Sequence, residues 1–304
     1  MYCPKWGSKN NDGSKFCTGC GTDLRGATPA GDPGGKDTAV AGPADTLQSM
    51  PTLHAGSVGP GMVLAGRYEI AERLGAGGMG QVFRAADREM DGMDVAVKVL
   101  PPLLAMNKRA VAGLKREVAT SLKLTHPNIC RVHGLQSDGD LKFLVMEYIE
   151  GETLEDVLAG AADGKLSLER TLKIMRPIAA ALDYAHSRAP VVLHRDIKPA
   201  NIMVTDDGAK LLDFGIACEL RNSMTRLTGQ QTSGTLLYMS PEQFRGKPLS
   251  PASDVYSLAA TIYECLACHP PFHGGDVGYQ LVNDPPEPVA DAPQPVREAL
   301  GTAL

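Results

Sequence analysis

The period of the apolar residues changes midway through this chain, and that change limits the folds open to it. Tyr68 to Leu74, Val82 to Ala86 and Val95 to Leu100 are short β-type runs, and Met90-Asp91-Gly92-Met93 joins the last two as a hairpin turn. A helical stretch from Asn107 to Leu124 is broken by His126-Pro127-Asn128, and two further strands are expected near Ile129–His133 and Lys142–Tyr148. Beyond them the spacing becomes helical. Ser167 to Arg188 carries Leu, Ile and Ala three and four apart, with Ser167 and Arg170 near its start, and Asp254 to Leu266 reads as a core helix. A strand-rich half followed by a helix-rich half predicts an α+β architecture of two lobes with a cleft between them. The N-lobe covers about 63–149 and the C-lobe 150–304.

Two zones precede this domain. Residues 1–26 are rich in Cys, Gly, Lys and Asn, whereas residues 27–62 hold Ala, Gly, Pro, Thr and Asp with few large apolar side chains and read as a flexible linker. Acidic residues number 35 and basic residues 30, a formal charge of −5, which lends no support to a nucleic-acid or acidic-membrane binder. No apolar run approaches the roughly 20 residues of a membrane span, and the first residues lack the apolar core of a secretory signal. Seven scattered cysteines fit a reducing, cytoplasmic setting better than a disulfide framework. The last residues, Val296 to Leu304, read as an unfinished amphipathic helix, so the chain is expected to be a C-terminally truncated fragment.

Three patterns carry chemistry. In Gly75-Ala76-Gly77-Gly78-Met79-Gly80-Gln81-Val82, three glycines at G-x-G-x-x-G spacing let backbone N–H groups approach phosphates. Dinucleotide folds use the same spacing but enter a helix next; here a β-run follows, which favours a loop between antiparallel strands. In Val95-Ala96-Val97-Lys98, alternation puts Ala96 and Lys98 on one face. That lysine either snorkels to solvent or reaches a nucleotide. Glu117, in the following helix, is a surface carboxylate or the partner of Lys98. The third pattern is the most specific: His194-Arg195-Asp196-Ile197-Lys198-Pro199-Ala200-Asn201, followed by Leu212-Asp213-Phe214-Gly215.

These residues resemble the catalytic and metal-binding loops of protein kinases. The glycine loop, the Val-Ala-Val-Lys run and Ser240-Pro241-Glu242 stand in the family's order, and the resemblance covers about Val63 to the end. Thr235 with Tyr238-Met239-Ser240-Pro241-Glu242-Gln243 is similar to bacterial, eukaryotic-like (Hanks-type) serine/threonine kinases, and Lys198 two residues after Asp196 favours serine and threonine over tyrosine. The resemblance implies a bilobal kinase fold and γ-phosphoryl transfer from ATP to protein hydroxyls. By it, Asp196 orients the acceptor hydroxyl and takes its proton, Lys198 neutralises the transferring group, and Thr235 positions both. Asn201 and Asp213 hold Mg2+, with Mn2+ as a substitute. Lys98 grips the α- and β-phosphates, held by Glu117, beneath a lid of Leu74 to Gly80. Val82, Ala96 and Met203 enclose the adenine. The backbone of Glu147 and Ile149 bonds its edge, and Met146 stands behind it as a bulky gate.

Arg195 beside Asp196 implies a site for a phosphate on the activation segment. That segment offers Ser223, Thr225, Thr228, Thr232 and Ser233, of which Thr225 and Thr228 lead as autophosphorylation sites, with a homodimer to carry the reaction out. Leu236, Ser240 and Ala259 depart from the family pattern without removing a catalytic group, and Glu242 would find its arginine partner only beyond Leu304.

Cys3-Pro4-Lys5-Trp6 and Cys17-Thr18-Gly19-Cys20 resemble the knuckles of a short zinc ribbon. Trp6 replaces the second cysteine, which leaves Cys3, Cys17 and Cys20 for a four-ligand site. A degenerate, weak or metal-free ribbon is the expectation, ahead of a tight Zn2+ site or a thiol pair. Cys265-Leu266-Ala267-Cys268-His269 matches a haem-attachment pattern formally, but ends a core helix and reads as packing. Cys130 and Cys218 read likewise. Two rivals to the enzyme stand beside it: a kinase-shaped scaffold or ATP-binding adaptor, and an adaptor centred on the ribbon.

Overall fold

Alternating side chains build the first half of the computed structural model, which describes residues 58–77, 80–228 and 235–304. Six antiparallel strands form one sheet: β1 (Val63–Leu64), β2 (Tyr68–Gly77), β3 (Gly80–Asp87), β4 (Met93–Val99), β5 (Val132–Asp138) and β6 (Leu141–Glu147), in the order β1-β2-β3-β4-β6-β5. Val95, Val97 and Val99 of β4 share one buried face with Phe83, Phe143 and Val145, while Ala96, Leu144 and Met146 face helix α2 (Lys108–Ser121). β4 is therefore buried on both faces, and Lys98 lies in that apolar strand. Asn107 caps α2, its side chain accepting from the backbone N–H groups of Arg109 and Ala110. A short helix, α1 (Pro102–Ala105), precedes it.

Helical spacing builds the second half. α4 (Leu168–His186) buries Ile174, Met175, Ile178, Ala181, Leu182 and Ala185, three or four apart. They pack on α3 (Leu154–Ala159) and on the hairpin of β8 (Ile202–Thr205) and β9 (Gly208–Leu211), whose sheet is completed by β7 (Glu152–Thr153). Each large side chain so buried contributes about 1.5–3 kcal/mol. α6 (Pro241–Phe244), α7 (Pro251–Ala267), α8 (Val277–Asn283) and α9 (Gln294–Ala303) complete the lobe. α7 opens on a capping box between Ser250 and Ser253.

The structure differs from the sequence reading at three places. The expected linker over 27–62 ends sooner, because Val58 is buried in the N-lobe core, Met62 packs against it, and Ile70 N–H donates to the Met62 carbonyl. The strand expected at Ile129–His133 begins only at Val132, and Ile129 instead bridges to Leu211. The segment after Asp213-Phe214-Gly215, read as a hydroxyl-bearing loop, opens as helix α5 (Ile216–Thr228), packed on α1 and α2. Its Ile216 and Leu220 join a cluster with Leu104, Ala110, Leu114 and Val118. The expected zinc ribbon, with Cys3, Cys17 and Cys20, lies outside the described residues, as do Gly78, Met79, Thr232 and Ser233; Thr228 and Thr235 are placed by their backbone alone.

Candidate active site

The loop from His194 to Asn201 links α4 to β8, and a buried carboxylate on α7 fixes its shape. Asp254 accepts hydrogen bonds from the backbone N–H groups of His194 and Arg195, each at 2.8 Å, and meets His186 Nε2 at 2.8 Å. From the other side, Gln243 Nε2 donates to the Arg195 carbonyl at 2.9 Å. Arg195 sits at φ 67, a left-handed backbone that costs a non-glycine residue about 1–2 kcal/mol and that these four bonds hold in place. Asp196 N–H donates to His194 Nδ1 at 3.2 Å and His194 Nε2 lies 2.7 Å from the Leu212 carbonyl, which fixes the Nε2–H tautomer.

Asp196 itself is nearly inaccessible to solvent. Its Oδ2 accepts from Asn201 Nδ2 at 2.8 Å and lies 3.3 Å from Lys198 Nζ, while its Oδ1 accepts from Arg221 Nη1 of helix α5. Burial alone would raise the Asp196 pKa; the positive charges of Arg221 and Lys198 outweigh it and hold the carboxyl below its ordinary value. Asn201 Nδ2 also donates to the Asp196 carbonyl at 2.7 Å, so both amide protons face inward and Oδ1 remains as a hard oxygen. With the Asp213 carboxylate, that oxygen is the donor chemistry a Mg2+ ion selects. Among the described residues, no group of three or more His, Cys, Asp and Glu side chains could hold a metal.

Above the loop, the glycine turn runs from the end of β2 into β3, with Gly75 opposite Val82 and Gly77 opposite Gly80. Gly80 is at φ 124, and a Cβ there would meet the Val99 carbonyl oxygen at 2.1 Å, so only glycine allows the turn this close to β4. Sheet register pairs Val82 with Lys98 and Ala96 with Met146, and Val82, Ala96, Met146 and Ile149 belong to one apolar cluster. Leu74 is exposed at the mouth; Met203, on β8, is half-buried. Glu147 is tied down by its side chain, which meets Lys210 Nζ and accepts from Arg131 N–H.

The expected pairing of Lys98 with Glu117 is absent. Lys98 Nζ lies 2.5 Å from Asp213 Oδ2, and Glu117 Oε1 lies 3.5 Å from Arg195 Nη1. Helix α5 is the physical reason: it packs on α2, and its Glu219 side chain lies against Gly113. The Glu117 carboxylate then rests over Gly215, where φ is 69 and a Cβ would stand 2.8 Å from Oε2. Thr225 is on α5, half-buried, and Thr228 ends that helix. The sequence reading assigned no role to Asp254, Gln243 or Arg221. An acid in the first turn of the otherwise apolar α7 marked the first, and Ile216, Leu220 and Met224 at four-residue spacing marked the helix that carries Arg221. Cys265 is in the C-lobe core, where burial pushes its thiol up to about 12, whereas Cys268 is exposed, so the two do not act as one attachment site.

Comparison with known proteins gives this cleft its family. The protein kinase domain family matches residues 68–286, and the chain belongs to it. It is 41% identical over 233 residues to a probable serine/threonine-protein kinase of Streptomyces coelicolor, SCO3848, covering 74% of this chain and 34% of that protein. It is 40% identical to serine/threonine-protein kinase PknB of Mycolicibacterium smegmatis, over 74% of this chain and 37% of the relative. With PknA of Mycobacterium tuberculosis it is 37% identical over 80% of this chain and 58% of the relative. The chain thus spans from about a third to three fifths of the length of these relatives. The crystal structure of the PknI kinase domain of Mycobacterium tuberculosis superposes with a TM-score of 0.62 at 28% identity, covering 81% of this chain and 93% of that one.

Proposed function

We propose that this chain transfers the γ-phosphoryl group of ATP to serine or threonine hydroxyls of proteins. The observation that carries the reading is the convergence of Asp196, Lys198 and Asn201 on one buried point, with Lys98 paired to Asp213, whose neighbour Leu212 donates its N–H to the Asn201 carbonyl. Phosphoryl transfer needs charge neutralisation and alignment more than covalent help, and these groups supply both. Asp196 accepts the proton of the attacking hydroxyl, Lys198 lies beside the transferring group, and Lys98 holds the α- and β-phosphates. Thr235 helps position Asp196 and Lys198. Asn201 Oδ1 and the Asp213 carboxylate would hold a Mg2+ ion, which would supply positive charge against that of the phosphates. Val82, Ala96 and Met203 bracket the adenine, whose edge meets the backbone at Glu147 and Ile149, with Met146 behind.

On this reading Arg195 receives a phosphate placed on Thr225 or Thr228 by a second copy of the chain. No described helix is long and apolar enough to cross a membrane, and the catalytic domain works on the cytoplasmic side, where ATP is supplied. Any zinc bound by Cys3, Cys17 and Cys20 would serve docking rather than transfer.

Arg221 on Asp196 and Lys98 on Asp213 also favour a second reading, a kinase-shaped scaffold that binds nucleotide without transferring phosphate. One experiment separates them: transfer of labelled γ-phosphate from Mg-ATP to a generic protein and to the chain itself, beside Asp196→Ala. Transfer lost in the variant supports the enzyme. Nucleotide binding with no Asp196-dependent transfer supports the scaffold.

A further inference from the structure

We propose that His269 and His273 form a binding site for a divalent transition-metal ion such as Zn2+, completed by the side-chain oxygen of Gln280. The site is on the C-lobe, shares no residue with the cleft and does not depend on the kinase reading. Two prolines set its shape. After α7 the chain turns through Cys268, at φ 65, into His269-Pro270-Pro271-Phe272-His273. Each proline ring locks its own φ, and Phe272 is buried in a cluster with Tyr256, Ala260 and Leu281. The turn brings the two imidazole rings to a centroid separation of 3.9 Å, inclined at 39°. His269 Nδ1 donates to the Pro270 carbonyl at 2.9 Å, and His273 Nδ1 donates to the same oxygen at 3.1 Å. A carbonyl only accepts, so each neutral ring carries its proton on Nδ1 and keeps a lone pair on Nε2. Metal-ligating histidines are oriented in this same way, with the other ring N–H given to a carbonyl or carboxylate.

The surroundings favour a cation. The two rings line a cavity of about 370 Å3 whose wall also includes Gln280, Asp284 and Glu287, but no Lys or Arg. Gln280 Oε1 is buried and finds no hydrogen-bond partner among the described residues. That condition is costly for an amide oxygen, and a cation would relieve it. Two imidazole nitrogens with one amide oxygen select Zn2+, Ni2+ or Cu2+ over Mg2+. Asp284 and Glu287 strengthen the field without ligating. Because Gln280 is on α8, the ion would fasten the turn after α7 to that helix.

The test is calorimetric titration of Zn2+ into full-length chain stripped of metal, in excess Mg2+, beside His269→Gln and His273→Gln. Any zinc taken by Cys3, Cys17 and Cys20 is common to all three proteins. Wild type is expected to bind one equivalent that each variant loses, or binds more weakly by at least the roughly 10–100-fold that follows when only a ligand's hydrogen-bond partner is removed. His273 is exposed, so its replacement leaves the fold intact; in EDTA that variant should melt with wild type, and zinc should raise the melting temperature of wild type alone. Equal zinc uptake by all three proteins, or a loss caused by only one of the two substitutions, overturns the site. So does a wild type that takes up no zinc.

Discussion

Asp254 accepts from two backbone N–H groups of the catalytic loop and meets His186 as well, so its replacement strands buried donors and frees a backbone held at positive φ. Removing a buried charged acceptor of this kind costs about 3–5 kcal/mol. Asp254→Ala is therefore expected to lose about that much in urea unfolding and to lose phosphate transfer with it; a loss under about 1 kcal/mol would show that the loop holds its shape by other means. Asp196 differs, since its burden is electrostatic. Its folded-state pKa is depressed by Arg221 and Lys198 acting against burial, so the stabilisation from those cations is complete above the unfolded value of about 3.9 and is lost as pH falls through the lower folded value. Between pH 6 and 8 the pairing is fully formed. The rate ratio of Arg221→Gln to wild type should then be constant across that range, and a ratio that changes with pH would mean that another titrating group acts on Asp196.

At the scale of elements, α7 carries a second acid, the half-buried Glu264. Burial raises the pKa of Glu264, and the Tyr238 hydroxyl, which donates to it at 2.6 Å, offsets only part of the rise. A raised folded-state pKa contributes stability that is present at low pH and lost as pH climbs through it. Glu264→Gln should therefore flatten the pH dependence of thermal stability on the acid side of neutrality, and an unchanged profile would assign that dependence elsewhere. The elements themselves were legible to different degrees. α4 and β4 could be read because their periods match their burial, Ile174 to Ala185 at helical spacing and Val95 to Val99 in alternation. The contact among Asp196, Lys198 and Asn201 could be expected because the three fall within one short loop, and their side chains do meet there. α5 was hidden because a segment bearing Ser223, Thr225 and Thr228 reads as a loop, and its helical form depends on a tertiary partner, the apolar face of α2. Val58 and Met62 were hidden for the same reason. Two apolar side chains in a Gly- and Pro-rich stretch show no period, and only the bonding to Ile70 draws that stretch into the sheet.

For the molecule as a whole, nucleotide has to compete with the internal pairs Lys98–Asp213 and Arg221–Asp196. If Mg-ATP prefers the arrangement in which these pairs are parted, its apparent affinity is reduced to the fraction of chains so arranged. Arg221→Gln should bind a non-hydrolysable ATP analogue more tightly than wild type, read by titration calorimetry. Unchanged affinity would mean that Arg221 obstructs the hydroxyl acceptor alone. The ion pairs also differ in how they meet ionic strength. Arg84 with Glu72, and Arg88 with Glu69, are exposed pairs that added salt screens. Arg221 with Asp196 is buried and Lys98 with Asp213 is largely shielded, each anion carrying its counter-ion within the chain. Concentrated potassium chloride would then strip the surface of its pairing and leave these two inner pairs in place, so brine should loosen the rim of the sheet long before it reaches the residues around Asp196.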